Sequence, residues 1–168
     1  VPDGDDTSIG YSLLHTFGRK TDLDAILALE EEKWFRCYPL ELQPSLDVNI
    51  HILGAFHRAG YPGTHTAVSK IMNWVRERMQ PGHFWIDKWH VSPFYTTAHV
   101  IIHCHPFDKE MCRAAVEWML GRQNQDGSWG FCGFPTAEET AYCLQALSIW
   151  RKLGNKLDRE SIQRGKDW

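Results

Sequence analysis

The 168 residues are 43% apolar and 23% charged, with a formal net charge of −3, which makes one globular domain's worth of chain with an ordinary core. The charge balance excludes a basic nucleic-acid surface, no run of roughly 18 apolar residues offers a membrane span, and no signal-peptide pattern is visible. Five cysteines without CxxC spacing read as buried free thiols of a cytosolic protein, and eight tryptophans exceed average usage.

The first element opens on Asp3-Gly4-Asp5-Asp6-Thr7. Ile9, Leu13, Leu14 and Phe17 follow at helical spacing, so a helix is predicted from Asp5 or Asp6 to Phe17, stopped at Gly18. Asp22 caps a shorter pattern of Leu23, Ile26 and Leu27, which runs into Glu30-Glu31-Glu32, read as a solvated helix end. After a loop from Trp34 to Pro39, Ser45 opens a third helix with Leu46, Asn49, Ile50, Leu53 and Phe56 on one face and Gly60 as its stop. Val68, Ile71, Met72, Val75 and Met79 make the stripe of a fourth, which ends at Pro81-Gly82. Ser92-Pro93 starts a fifth, because proline in a first turn loses no hydrogen bond, and Pro106 ends it. Asp108 caps a sixth, with Cys112, Ala115, Val116, Met119 and Leu120 inward. Thr136 and Glu139 form a capping box for a seventh that carries Thr140, Leu144 and Leu147 and stops at Gly154; an eighth runs from Asp158. No segment alternates with period two. The fold class is therefore all-α, built of antiparallel helix hairpins joined by short Gly/Pro loops. Globins and simple bundles do not explain the repeated Gly/aromatic loops.

One or two aspartates at a helix start would satisfy the orphan N–H groups and the helix dipole. Three exceed that need. Like charges this close resist joint ionisation, so at least one carboxyl is expected to keep its proton to higher pH. A protonated acid whose anion is stabilised by neighbours is a proton donor. The pentapeptide resembles the D-x-D-D-T signature of class II terpene cyclases, which protonate a carbon–carbon double bond. It also fits the D-x-D-x-T motif of haloacid dehalogenase-type phosphatases. That family needs a buried strand leading into the first Asp, where only Val1 and Pro2 stand, and a parallel sheet, which the helical pattern excludes.

A second motif is Gln123-Asn-Gln-Asp126-Gly127-Ser128-Trp129, at the end of the sixth helix. A Gln amide near a helix end can serve an unsatisfied backbone group while a Gly turn returns the indole onto its plane. The stretch resembles the QW motif of squalene-hopene, oxidosqualene and class II diterpene cyclases, with Met119 where Leu, Ile or Val is commoner. Phe35–Pro39, Asp87–His90, Ser92–Tyr95 and Pro135–Tyr142 also look like segments of microbial class II cyclases acting on prenyl diphosphates. The resemblance implies that residues 1–168 are the later part of a β domain, an (α/α)6 barrel. The γ domain, the first β helices and any class I domain are not in this chain.

The resemblance makes Asp5 the acid and Asp3 and Asp6 its tuning neighbours. It implies protonation of a prenyl diphosphate, geranylgeranyl diphosphate first, giving a labdane-type bicyclic diphosphate with the diphosphate retained. Farnesyl diphosphate, giving a drimane skeleton, is the alternative, and a non-catalytic helical scaffold is the rival from another class. Mg2+ on the diphosphate is implied, with ligands outside this chain. Aromatic faces stabilise a cation by about 0.5–2 kcal/mol each. Trp89, Phe94 and Tyr95 are the first lining candidates and Trp34 and Phe35 the next, each with plain core packing as the competing role. Lys88 is a candidate diphosphate ligand, and Arg122 reads as solvated charge. His99 and His103 share a helix face suited to zinc, but Cys104 and His105 turn away from it, so a packed pair is expected and no metal site is assigned. A cyclase must exclude water from its cation. The 168 residues alone are therefore not expected to turn over, and the apolar helix faces they expose are expected to pair with the rest of the cyclase.

Overall fold

The computed structural model describes residues 3–168, and Val1 and Pro2 lie outside them. The described residues contain eight helices and no strand, with isolated bridges at Glu30–Phe35, Gln80–Phe84 and Asp87–His90. They form two compact units that divide between Arg78 and Met79.

In the first unit α1 (Gly4–Thr16) and α4 (Thr66–Glu77) each pack on α3 (Leu46–Arg58), and the single turn α2 (Asp24–Leu27) lies against α1. Asp3 is the N-cap of α1, and its Oδ1 accepts the Asp6 N–H at 2.8 Å. The face that α1 buries is not its apolar stripe. Gly4, Ser8 and Tyr11 are buried, whereas Ile9, Leu13, Leu14 and Phe17 are exposed, Phe17 to 77%. Small residues let α1 approach closely: a Cβ at Gly4 would stand 2.9 Å from the Arg36 carbonyl oxygen. α3 is buried from Leu46 through Phe56 on every side, so its polar Asp47, Asn49 and His51 are enclosed with the apolar residues.

Two expectations fail in this unit. Glu30 and Glu31 are not a helix end: α2 stops at Leu27, Glu30 pairs with Lys70 at 2.5 Å and Glu31 with Arg36 at 2.9 Å. α4 ends at Glu77, so Met79 lies outside it.

The second unit holds α5 (Pro93–Cys104), α6 (Lys109–Leu120), α7 (Ala137–Lys152) and α8 (Arg159–Asp167). α5 packs on both α6 and α7, and α8 on α7. Ser92, Asp108, Thr136 and Asp158 stand at the four N-caps, each side chain accepting a first-turn N–H.

The loop after α6 fastens three helices. Trp129 is fully buried; its indole N–H donates to the Met119 carbonyl at 2.8 Å, and its backbone N–H donates to Thr140 Oγ1 at 3.0 Å. The end of α6 is thus tied down by the indole as well as by the Arg122 N–H, and not by the Gln123 side chain. The Gln123 amide reaches onward: Nε2 donates to Gly127 O at 2.9 Å and Ser161 O at 2.8 Å, and Oε1 accepts from Arg164 at 2.7 Å. Gly127 has φ of 95°, and a Cβ there would lie 2.3 Å from the Arg164 carbonyl oxygen, so both conformation and space demand glycine.

Cys37, Cys104, Cys112 and Cys143 are buried free thiols, but Cys132 is exposed in the loop before α7. Burial pushes the Cys112 and Cys143 thiols well up from their ordinary value. No helix of the described residues is long and apolar enough to cross a membrane. Two measurements check this packing. Trp129→Ala is expected to lower unfolding free energy by about 3–5 kcal/mol in denaturant titration, since it removes a fully buried indole. A thiol reagent is expected to modify Cys132 at once in the native protein and the other four only at the rate of unfolding.

Candidate active site

The acidic cluster divides its work by position. Asp3 faces back into the helix as the cap, and Asp6, in the first turn, is exposed. Asp5 turns toward α3, where its Oδ1 lies 2.5 Å from His51 Nδ1. The imidazole is 2% exposed at its side chain and the carboxyl 34%. An Nδ1–H donated to one carboxylate oxygen favours the anion, while the second oxygen can carry the transferable proton.

The first turn of α1 is held from the other side by the 35–37 backbone. Gly4 N–H donates to the Cys37 carbonyl at 2.6 Å. The Cys37 thiol is pushed above its usual value, mainly by burial and next by the charge of Asp3; the Asp5 amide, which hydrogen-bonds the sulfur, opposes this. Asn49, two residues before His51 on α3, accepts the Phe35 N–H at 2.8 Å and donates to the Phe35 carbonyl at 2.9 Å.

His51 and Asn49 were not singled out for the site from sequence. The helical pattern places Asn49 on the inward face, and His51 lies off that stripe. The available signal was composition: a helix that carries Asp, Asn and His among Ile, Leu and Phe must match those polar groups if it is buried on every side.

The predicted lining residues separate. Phe35 is fully buried with its ring edge-on to Phe56 at 5.6 Å, which is a core position. Trp34 is half-buried and tilted against Trp74 at 5.7 Å. The others belong to the second unit. Trp89 is exposed and carries the Lys88 ammonium 4.8 Å from its ring centre, so the candidate cation and the candidate aromatic face occupy each other. Phe94 and Tyr95 do not share a wall, because consecutive helical residues diverge. Phe94 is buried against Trp118 at 5.2 Å and borders a cavity of about 220 Å³ with Phe84, Trp118 and Phe131. Tyr95 stands in a column of rings, with His90 at 3.6 Å and His99 at 4.3 Å, and Tyr142 edge-on at 4.9 Å. His99 and His103 lie 5.7 Å apart, tilted. The Tyr142 hydroxyl donates to Glu138 at 2.8 Å; burial first, and then that bond and charge, push it up to about 12.

Residues 39–168 match the family described as the squalene-hopene cyclase C-terminal domain. The chain is 45% identical over its whole length to a type B diterpene cyclase of Mycobacterium tuberculosis, of which it covers 34%. It is 36% identical to an ent-copalyl diphosphate synthase of a Streptomyces species, with 98% of the chain and 33% of that protein aligned. Its structure superposes on ent-copalyl diphosphate synthase from Streptomyces platensis with a TM-score of 0.81 at 32% identity, over 98% of this chain and 34% of that one. The type II terpene cyclase MstE from Scytonema shares the fold, with a TM-score of 0.75 at 19% identity. The chain spans about a third of the length of the curated relatives it matches. Its hairpins are part of the α/α-barrel fold of these enzymes, and the chain belongs to the squalene-hopene cyclase C-terminal domain family, among the class II terpene cyclases.

Proposed function

We propose that this chain is the later part of the β domain of a class II diterpene cyclase and carries its proton donor, Asp5. The single observation that carries the reading is the 2.5 Å contact between Asp5 and the buried His51. An alkene is a very weak base, so its acid must be protonated at rest yet strong when it reacts. The clustered aspartates favour the first condition and the His51 N–H the second.

Asp5 gives its proton to the terminal double bond of geranylgeranyl diphosphate, and the electrons of that bond form the new C–H bond. The tertiary cation closes on the next double bonds to a bicyclic labdane-type skeleton, and loss of a proton restores neutrality with the diphosphate intact. The relatives named as copalyl and kolavenyl diphosphate synthases support a diphosphate-retaining product of this class. Asp3 holds the helix start, and Asp6 adds negative charge beside the acid. Of the lining candidates, Trp34, in the same unit as Asp5, is assigned to cation–π contact, whereas the faces of Tyr95 are already covered by His90 and His99. Lys88 and Trp89 are paired with each other, and Phe94 packs on Trp118, so none of the three is assigned to the cation.

The Mg2+ implied for the diphosphate does not fit the acidic cluster. Asp3 is committed to the Asp6 N–H and Asp5 to His51, and a carboxyl that must hold a proton is a poor ligand for Mg2+. The metal ligands are placed elsewhere in a longer polypeptide. The exposed Ile9, Leu13, Leu14 and Phe17 stripe of α1 supports the same picture, as a face for the remaining β helices.

In the full-length enzyme, Asp5→Asn is expected to lower kcat by about 10²–10⁴-fold with folding intact, because it removes the transferable proton. Comparable turnover in that variant would defeat the assignment. His51→Ala removes a hydrogen bond to a charged group, worth about 1.5–3 kcal/mol, or roughly ten- to 150-fold in rate.

A further inference from the structure

A fourth carboxylate lies beneath the acidic cluster. Glu41 is 5% exposed, and its Oε2 accepts the Cys37 N–H at 2.6 Å. A buried side chain that gives its acceptor to a backbone amide fixes that peptide in place. The turn that returns Glu41 onto Cys37 is itself strained. It closes by the Glu41 N–H donating to the Tyr38 carbonyl at 3.2 Å, and Leu40 within it holds φ of 67°, which side chains other than glycine seldom adopt. Leu40 is exposed, so no packing of its own explains the conformation. Strain of this kind persists where surrounding contacts impose it.

What the turn secures is the peptide that secures the acid. Cys37 takes the Glu41 carboxylate on its N–H and the Gly4 N–H on its carbonyl, both at 2.6 Å. Gly4 is the neighbour of Asp5. The contact leaves no slack, because even a Cβ at Gly4 would meet the Arg36 oxygen and Val48. Two residues before Cys37, Phe35 is clamped on both its N–H and its carbonyl by Asn49. The same helix, α3, presents His51.

We propose that Glu41 is a positioning residue for the acid: through the Cys37 peptide it fixes the first turn of α1, and so the register of Asp5 against His51. The proposal rests on the cyclase reading of Asp5 for its catalytic consequence, but the geometry it predicts can be read without substrate.

The test uses the full-length enzyme with 15N-labelled histidine, the His51 signal being identified by its loss in His51→Asn. In Glu41→Ala the His51 Nδ1 resonance is expected to move most of the way toward its position in Asp5→Asn, and in Glu41→Gln, which keeps an acceptor for Cys37, to stay near the wild-type position. Should Glu41→Ala not fold, Glu41→Asp, shorter by one methylene, is expected to displace the resonance in the same direction. With geranylgeranyl diphosphate, Glu41→Ala normalised to folded protein is expected to lose about tenfold or more in kcat at unchanged KM, since misplacement by about an ångström is that expensive. Glu41→Gln is expected to restore it. Because Glu41 acts through the Asp5–His51 contact, its effect on kcat is expected to fall away in a His51→Ala background, whereas a general stability effect would multiply through. A His51 resonance that stays in place in Glu41→Ala, or equal loss in the Gln variant that persists without His51, overturns the proposal. If Asp5→Asn still turns over, the cyclase reading fails, and the His51 resonance decides the positioning role by itself.

Discussion

A helix buried on every side keeps a polar residue at least cost where something meets it. α3 is such a helix, and the geometry of the acidic cluster follows from that constraint. Asn49 is met by both polar groups of the Phe35 peptide, and His51 by the Asp5 carboxyl. An imidazole or amide without its partner in that interior would cost about 1–3 kcal/mol or more. The contacts that aim the acid are therefore the same contacts that let α3 be buried. A cluster that stood on the solvent side of α1 would have been an N-cap with two surplus charges.

The second unit is held by a different device, a loop that makes three helix attachments with few side chains. Trp129 joins the end of α6 to the start of α7, while Gln123 and Gly127 bring that junction onto α8. Most of these bonds terminate on backbone atoms. Backbone partner groups are present whatever side chains the surrounding helices carry.

Much of this was legible in the sequence because it is local. The caps at Ser45, Ser92, Asp108, Thr136 and Asp158 depend on neighbours within a turn, and each stands where the pattern placed it. Asp5 could be named from its motif, and the family from two motifs and several shorter segments. The partners of Asp5 could not. His51 is 46 residues away, and its role depends on which side of α3 meets α1. The stripe of Ile9, Leu13, Leu14 and Phe17 is exposed within these residues while Gly4, Ser8 and Tyr11 are buried, because periodicity reports that a helix has an apolar side but not which surface covers it. The Glu30–Glu32 run failed for a related reason: charge runs read as solvent-facing, and two of these side chains are claimed by Lys70 and Arg36 from elsewhere in the unit.

Gly165 on α8 gives the loop a history as well as a shape. A Cβ there would come within 2.8 Å of the Trp129 ring and 2.9 Å of Leu144. The largest side chain and the smallest are thus fitted to one another, and neither can drift alone. Enlarging position 165 first drives a methyl group into the indole; shrinking position 129 first opens a void between α7 and α8. Any lineage that replaces this pair must cross one of two impaired intermediates, or change both codons together. The two positions, 36 residues apart in the chain, should therefore be inherited as a single character.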